Sequence, residues 1–462
     1  MSFEWKKYTI ADVSKNVVTG KTPPGTLEKY FGGDVLFVTP TDMGDNKYIE
    51  RTQRTLSDEG EAKLAKQRFE CGIVVSCIGW KMGKSAIVKN AAVTNQQINT
   101  IIPNNEIIDT DFLYYILSDK RTEIFNLGAT ATRTPILKKS LFEKIEFYAP
   151  KLEQQKKIGN ILSCLDDKII NNRKINQTLE QMAQTLFKSW FVDFEPVKAK
   201  ITVLESGGSQ EEAMLAAMTA ISGKDVDALM VFEHEHPEQY AELKVTADLF
   251  PSAMQDSELG EIPEGWCHGP LSDIATFANG KVDVCSLTPE TYISTENMLE
   301  NRAGISTASS LPSVNSVPEF RCGHVLISNI RPYFKKIWLT RFKGGRSADV
   351  LAFEARDSVN VEYVYNLLYQ EVFFNFMMLT SKGVKMPRGD KKAIMDWQCV
   401  HPDKKISNAF SKAVGEYYSF IEINNAQNKT LTQLRDTLLP KLLSGEITLP
   451  EVEQAIGEVE NV

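Results

Sequence analysis

The chain has 462 residues, 42% of them hydrophobic and 24% charged, with a formal net charge of −8. This length is too great for one hydrophobic core and predicts roughly three structural units of about 150 residues each. The composition is typical of a globular protein, and we find no stretch of roughly 20 apolar residues and no signal peptide. We therefore expect a cytoplasmic protein without membrane contact. The seven cysteines are scattered and form no Cys-x-x-Cys pair, which argues against a disulfide framework or a zinc knuckle.

The N-terminal part of the chain alternates short β-rich runs with turns, which predicts an α+β domain over residues 1–150. The sequence then changes to a seven-residue period that sustained coiled coils show. We therefore expect a long helix over residues 151–192. Its heptad positions are Ile158, Leu165, Asn172, Leu179 and Leu186.

Residues 193–262 are dominated by acids and are expected to form an acidic linker. A second α+β domain over residues 263–401, a second long helix over residues 402–445 and an acidic tail over residues 446–462 follow. Because the linker and the tail hold so many acids, the two domains with their helices are net basic.

The two halves of the chain repeat each other at a shift of about 251 residues. Phe69–Gly72 recurs as Phe320–Gly323, and Asp111–Tyr114 recurs as Glu362–Tyr365. A period of this length indicates a duplicated domain, because solenoid units have only about 20 to 50 residues. We therefore expect an α+β fold with two similar globular domains and an internal pseudo-two-fold repeat.

Asparagines in the middle of both heptad series suggest how the long helices pair. A buried Asn costs stability and is tolerated where it fixes the register of a coiled coil. An antiparallel pair would place Asn172 opposite Asn428 and Asn176 opposite Asn424. In the same register Leu165 faces Arg435, which we expect to extend its guanidinium to solvent. The alternative is two unrelated amphipathic helices that each pack on their own domain.

Positive charge is concentrated in the second repeat, where residues 321–346 contain seven cations and no acid. Tyr333, Phe334 and Trp338 are interleaved with these cations. Such a stretch can neutralise phosphates and stack on bases. A solvated pair of strands with basic edges is the alternative.

Apparent enzyme motifs are weak in this sequence. Gly79–Ser85 resembles a phosphate-binding loop but has three residues between its glycines where that loop needs four. A strand-like run follows at Ser85–Val88 where a helix would have to begin. A nucleotide-dependent enzyme acting on DNA through this loop is the alternative function. The segment His234–His236 lacks a third ligand in pattern, so we expect no metal site.

Four motifs resemble the specificity subunits of type I restriction-modification systems. They lie in both long helices and in the linker, and the duplication covers nearly the whole chain. The motifs are Ala149–Ile158, Leu186–Phe194, Glu258–Trp266 and Thr437–Ile447.

The resemblance implies two target recognition domains that each read one half of a split double-stranded DNA sequence. It also implies that the antiparallel helices dock two methyltransferase subunits and that restriction subunits join the same complex. S-adenosylmethionine, ATP and Mg²⁺ are then expected on the partner subunits, with no cofactor and no catalytic residue in this chain. We further expect Trp190, Phe191 and Phe194 to add to an apolar docking surface.

Turns that recur in both copies are our candidates for DNA contacts, because loops carry base readers and cations hold phosphates. In the first repeat these residues are Thr41, Asp42, Met43, Trp80, Lys81, Arg133 and Lys138. In the second repeat they are Thr295, Asn297, Met298, Asn329, Arg331, Lys335, Lys385 and Arg388.

Overall fold

The computed structural model describes residues 5–24, 28–44, 46–128, 135–383 and 385–447. The chain divides into two compact units. Residues 1–174 and 424–462 form the first unit, and residues 175–423 form the second. Each unit therefore contains one globular domain and one end of each long helix.

The first globular domain is built on an antiparallel sheet whose strands, in spatial order, are Ser14–Thr19, Ile98–Pro103, Gly72–Ser76 and Ser85–Val88. Beside it lies a sheet of Thr55–Leu56, Phe31–Val38 and Ala92–Thr94. A central strand of the first sheet, Gly72–Ser76, is buried throughout and rich in β-branched residues. The strands are β1 (Lys6–Thr9), β2 (Ser14–Thr19), β3 (Phe31–Val38), β4 (Thr55–Leu56), β5 (Gly72–Ser76), β6 (Ser85–Val88), β7 (Ala92–Thr94), β8 (Ile98–Pro103) and β9 (Glu146–Ala149). The helices are α1 (Ile10–Val13), α2 (Asp58–Lys63), α3 (Thr110–Asp119), α4 (Arg121–Gly128), α5 (Lys139–Phe142) and the long α6 (Leu152–Phe191).

The acidic segment that follows is folded into helices and a hairpin. The carboxylate of Glu212 and the hydroxyl of Ser209 form a capping box at the start of its second helix. Apolar side chains of three of these helices form a small core around Met218 and Leu229, while the acids point to solvent. The elements are α7 (Glu195–Glu205), α8 (Gln210–Ser222), α9 (Val226–Glu235), α10 (Pro237–Asp248), β10 (Met254–Ser257) and β11 (Gly260–Pro263).

The second globular domain has an antiparallel sheet whose strands, in spatial order, are Ala275–Phe277, Val350–Ala355, Val325–Ser328 and Ile337–Leu339. The strands are β12 (Cys267–Pro270), β13 (Ala275–Phe277), β14 (Lys281–Asp283), β15 (Tyr292–Ile293), β16 (Ser316–Phe320), β17 (Val325–Ser328), β18 (Ile337–Leu339), β19 (Gly344–Arg346), β20 (Val350–Ala355) and β21 (Gln398–His401). The helices are α11 (Val361–Tyr369), α12 (Glu371–Leu379), α13 (Lys391–Met395) and the long α14 (Lys404–Ser444).

Strand register confirms the internal repeat. In the first domain Val74 lies opposite Thr100 on β8 and opposite Ala86 on β6. In the second domain Leu326 lies opposite Ala352 on β20 and opposite Trp338 on β18. Each residue of the second set lies 252 positions after its counterpart in the first. The duplication therefore preserves strand order and register as well as sequence pattern.

In the first unit, the start of α6 packs antiparallel against the end of α14. Leu162 and Leu438 lie in one buried core. Nδ2 of Asn172 donates a hydrogen bond to Oδ1 of Asn428 at 3.0 Å and a second to Oε1 of Gln427 at 2.7 Å. These contacts lie in the register that the heptads indicate.

One layer of this register differs from the sequence-based expectation. Arg435 does not extend to solvent, because its Nη1 donates to Oδ1 of Asp166 at 2.7 Å. Asp166 directly follows Leu165 on α6, so a rotation of about 100° around the helix separates the apolar residue from the partner of the arginine.

In the second unit, the end of α6 packs on the start of α14 and on the globular domain. Trp190, Phe191 and Phe194 are 1%, 4% and 7% exposed and belong to the core that also holds Phe410 and Trp266. Our expectation that these three aromatic residues form an exposed docking surface is therefore wrong. The three side chains are apolar, as a docking surface would require. They are covered, however, by the second domain and by α14.

Candidate nucleic-acid interface

In the first domain the connection between β5 and β6 presents an aromatic residue to solvent. Gly79 and Gly83 have φ values of +83° and +82°, which glycine adopts readily and which let the loop turn tightly. Trp80 is 80% exposed and stacks on Phe125, with ring centroids 6.2 Å apart. Nζ of Lys81 donates to the carbonyl oxygen of Pro40 at 2.9 Å, which ties two of the recurring turns together.

The equivalent connection in the second domain lies between β17 and β18 and presents Arg331. The amide of Arg331 donates to the carbonyl oxygen of Pro387 at 2.8 Å. In the first domain the amide of Gly79 donates to the carbonyl oxygen of Pro135 at 2.9 Å. Donor and acceptor are both shifted by 252 positions, so each domain holds this loop against the same following segment.

The turn at Asp42 and its counterpart at Asn297 have a structural role. Oδ2 of Asp42 accepts a hydrogen bond from the amide of Thr39 at 2.8 Å, and Oδ1 of Asn297 accepts one from the amide of Ser294 at 2.6 Å. Nδ2 of Asn297 also donates to two backbone carbonyls, and the side chain is 4% exposed. Side chains of this type are committed to their own turn and are not available to a base.

Three further candidates are buried, which corrects the sequence-based expectation. Met43 and Met298 are 1% and 0% exposed and lie in apolar cores. Asn329 is also buried, and its Nδ2 donates to the carbonyl oxygen of Gly389 at 3.2 Å. These residues recur because the fold of the turns requires them, and recurrence alone does not distinguish a structural residue from a binding residue.

The remaining candidates that the structure describes lie at or near the surface. Thr295 and Lys335 are half-buried, and Arg133 lies outside the described residues. Those that are exposed are Thr41, Trp80, Lys81, Lys138, Arg331, Lys385 and Arg388.

The basic stretch of the second repeat does not form one continuous patch. Arg346 is buried and donates to the carbonyl oxygens of Val350 and Ala278. Lys336 donates to the carbonyl oxygen of Thr295 at 2.8 Å. These cations stabilise the domain rather than facing solvent.

Sequence reasoning missed two functional candidates, Glu371 and Arg302. Glu371, the first residue of α12, forms ion pairs with Lys335 and, at 2.9 Å, with Arg302. Hydrogen bonds from Lys335 and Arg302 lower the pKa of the Glu371 carboxyl. No local pattern signals this cluster, because Arg302 and Glu371 are far apart in the sequence.

The phosphate-loop alternative is not supported. Residues 79–84 form the turn of an antiparallel hairpin in which Ile73 pairs with Ile87. Ser85 begins a strand, so the loop is not followed by the helix whose N-terminus holds the phosphate in a phosphate-binding loop.

The described part of the chain contains no cluster of three or more His, Cys, Asp or Glu side chains that could hold a metal ion. His234 and Glu235 are the last residues of α9 before His236, and all three are exposed. Within the same described ranges, no helix is long and apolar enough to cross a membrane.

Known proteins are similar to this chain along nearly its whole length. A family model described as a type I restriction modification DNA specificity domain matches residues 3–181. The specificity subunit of the type I restriction enzyme HindI from Haemophilus influenzae is 30% identical over 96% of this chain and 100% of its own length. The MjaIX specificity subunit from Methanocaldococcus jannaschii is 26% identical over 97% of this chain and 95% of its own length.

Among solved structures, the S subunit of a type I restriction-modification system from M. genitalium is 15% identical, with a TM-score of 0.49. The alignment covers 95% of this chain and 96% of that chain. The 30% identity to HindI spans almost all of both chains, and the described fold has the duplicated domains and paired helices that the four motifs imply. The chain therefore belongs to the family of type I restriction enzyme specificity subunits.

Proposed function

We propose that this chain is the DNA-reading subunit of a type I restriction-modification complex and that it recognises a split DNA sequence. Each globular domain reads one half of the target. The observation that carries the proposal is the loop present in both domains, anchored by the Gly79–Pro135 and Arg331–Pro387 hydrogen bonds. A duplicated reader is suited to a target that consists of two parts.

The exposed residues at these loops have the chemistry that DNA requires. In the first domain, the stretch 77–84 contains Lys81 and no acid, and the exposed Lys138 follows the segment that anchors the loop. Cations hold phosphates and fix the register of a protein on the duplex, while side chains that enter a groove read base edges. Trp80 adds a planar apolar surface that can pack against a base or sugar.

The long helices are proposed to dock two methyltransferase subunits, through which restriction subunits join. In the second unit Met182 on α6, Val192 directly after α6, and Phe420 and Ile423 on α14 are all at least 45% exposed. Exposed apolar side chains on a helix pair are suited to a protein partner. S-adenosylmethionine, ATP and Mg²⁺ are proposed to bind those partner subunits.

A domain exchange tests the split-target proposal. Residues 267–400 are replaced by the matching domain of a related specificity subunit, and the chain is co-expressed with its methyltransferase subunits. Methylated adenines across the host genome are then mapped. We expect one half of the motif to change, while the other half and the spacing between them stay the same.

A change in both halves of the motif after this exchange would refute the two-reader model. As a matched control, the same exchange of residues 1–150 should change the opposite half. Inserting one heptad into α6 should lengthen the spacer and leave both halves unaltered, because spacing is then a property of the helices.

A charge on the exposed helix face tests the docking proposal. Phe420→Glu is expected to weaken co-purification of the methyltransferase subunits at least tenfold, because a carboxylate would be buried without a partner. Val231→Glu is the control, since Val231 is an exposed apolar residue of α9 in the same unit. Equal effects of the two variants would remove Phe420 from the docking face.

A further inference from the structure

Backbone strain in the described chain is concentrated at one place in the second domain. Five non-glycine residues have positive φ, and four of them are Asn301, Arg302, Arg331 and Lys335, with φ values from +50° to +63°. The left-handed region is unfavourable for residues with a Cβ, so such residues persist only where the surrounding structure holds them. Clusters of this kind are typical of binding sites.

These four residues belong to two loops that are bound to each other. The amide of Asn301 donates to the carbonyl oxygen of Phe334 at 2.8 Å, and the amide of Arg302 donates to that of Lys335 at 2.9 Å. The loop 329–336, which we name the reading loop, is thus paired along its backbone with residues 301–302.

An ion cluster fixes the end of the reading loop. Oε1 of Glu371 accepts from Nζ of Lys335, and Oε2 accepts from Nη2 of Arg302 at 2.9 Å. Nε of Arg302 donates to the carbonyl oxygen of Tyr369 at 3.0 Å. Together with the hydrogen bond from the amide of Arg331 to Pro387, these contacts hold both ends of the loop on the body of the domain.

Arg331 differs from every other arginine of the second domain, residues 263–401. Six of the seven arginines there use their guanidinium groups on carboxylates or carbonyl oxygens of the protein. In the described residues the guanidinium of Arg331 alone has no such partner, and the residue is exposed. The six partnered arginines are Arg302, Arg321, Arg341, Arg346, Arg356 and Arg388.

We propose that Arg331 is the specificity-determining residue of the second domain, reading a guanine in the major groove, and that Glu371 is its positioning residue. This inference rests on the proposed function and assigns one base pair of the second half-site to one side chain. An arginine donates two parallel hydrogen bonds to O6 and N7 of guanine. A loop that is already held in its strained conformation loses little conformational freedom on binding, which favours such a geometry.

The test compares Arg331→Ala with Arg321→Ala in the full chain co-expressed with its methyltransferase subunits. Arg321 has the same charge in the same domain, and its side chain is 70% exposed. Mapping of methylated adenines should show a lost preference at one G·C pair of the second half-site for Arg331→Ala only. The expected loss of discrimination is about fivefold to 150-fold.

Arg331→Gly covers the possibility that Arg331→Ala folds poorly, because glycine adopts positive φ without strain. It should lose the same base preference. A uniform loss of binding with a shallower dependence on salt would show that Arg331 holds a phosphate and would overturn the base-reading assignment. An unchanged motif with either variant would also overturn it.

The positioning role predicts that Glu371→Gln weakens the preference at the same base pair, by a smaller factor than the Arg331 variants do. Glu371→Asp keeps a carboxylate and should retain much of the preference. A structural role alone would reduce methylation without changing the motif, which would contradict the assignment.

The wild-type motif distinguishes a failure of the proposed function from a failure of the present inference. A wild-type motif that is not split refutes the proposed function, whereas a split motif that Arg331 variants leave intact refutes only the present inference.

Discussion

Each of the two units has a hydrogen bond between its globular domain and a long helix at corresponding positions, but different chemical groups form it. In the first unit the hydroxyl of Tyr115 on α3 donates to Oδ2 of Asp166 on α6 at 2.6 Å. In the second unit Nδ2 of Asn366 on α11 donates to the hydroxyl of Tyr418 on α14 at 2.8 Å. The positions correspond at shifts of 251 and 252. The repeat therefore preserves the location of the hydrogen bond and changes its charge.

The first junction is ionic. Asp166 also pairs with Arg435 at 2.7 Å. Nearby, the fully buried Nζ of Lys47 lies 2.5 Å from Oδ1 of Asp111 and 2.6 Å from the hydroxyl of Ser163. Each buried charge in this junction has a partner of opposite charge, which is the condition for burying it at tolerable cost.

The second junction is mostly neutral and contains one half-buried acid, Glu180, whose Oε1 atom is buried. Nε2 of Gln184 donates to Oδ1 of Asn366 at 2.6 Å. Burial raises the pKa of Glu180 to about 7, which hydrogen bonds from Tyr365 and Gln184 only partly oppose. The duplicated fold therefore specifies where a polar contact lies, whereas each copy has its own charges. The two junctions should therefore respond differently to mutation and to pH.

The largest expected effect comes from removing the carboxylate of the ionic junction. Asp166→Ala leaves the Tyr115 hydroxyl without its acceptor and leaves the Arg435 guanidinium with Asp436 alone, and we expect a loss of about 3 kcal/mol of stability in the first unit. Tyr418→Phe, the matched change in the second unit, removes one neutral hydrogen bond and should cost about 1 kcal/mol. Native-state hydrogen exchange of α3 and α11 measures each unit separately. Equal losses would contradict the contrast between the junctions.

The neutral junction should become more stable when its acid is replaced. Glu180 ionises near pH 4.5 when unfolded and near pH 7 when folded, so the folded state binds more protons between these values. Stability of the second unit should consequently fall as pH rises from about 4.5 to about 7 and then level off. At pH 8, Glu180→Gln should raise the stability of the second unit by about 2 kcal/mol, and below about pH 4 it should give no gain.

Urea denaturation across this pH range measures the effect. Glu153→Gln is the control, because the Glu153 side chain on the same helix is 76% exposed. A pH-independent gain from Glu180→Gln would mean that a lost repulsion or better packing is responsible instead of ionisation.

A smaller effect is expected where the helices pair in the first unit. Asn172→Leu removes the donor to Asn428 and Gln427, and we expect a cost of about 1–2 kcal/mol. Changing Asn172 and Asn428 together to Leu should recover part of that loss, because no amide is then left without its partner. Thermal unfolding of the two single variants and the double variant gives the coupling energy. Additive losses would show that the two amides act independently.

Antiparallel pairing of Asn176 with Asn424 stays a prediction. The two residues belong to different units. The same cycle of single and double Leu variants would test their coupling.

The architecture of this protein can be predicted from its amino-acid sequence. The repeat at about 251 residues, the β-rich runs and the seven-residue period predict two α+β domains and two long helices, because these patterns reflect local geometry and burial. The sequence also indicates which loops carry the candidate site, since Trp80 and Arg331 occupy corresponding connections. These features follow from residues that are close in sequence or regularly spaced.

Which residues of those loops are available to a ligand depends on the three-dimensional fold. Met43 and Met298 occupy similar turns in the two copies, yet both are buried. A residue can therefore recur because its buried side chain supports the turn. Glu371 acquires its role from Lys335 and Arg302, which reach it from other segments. Burial and ion pairing depend on what the fold brings together across long sequence distances, and no local pattern encodes that.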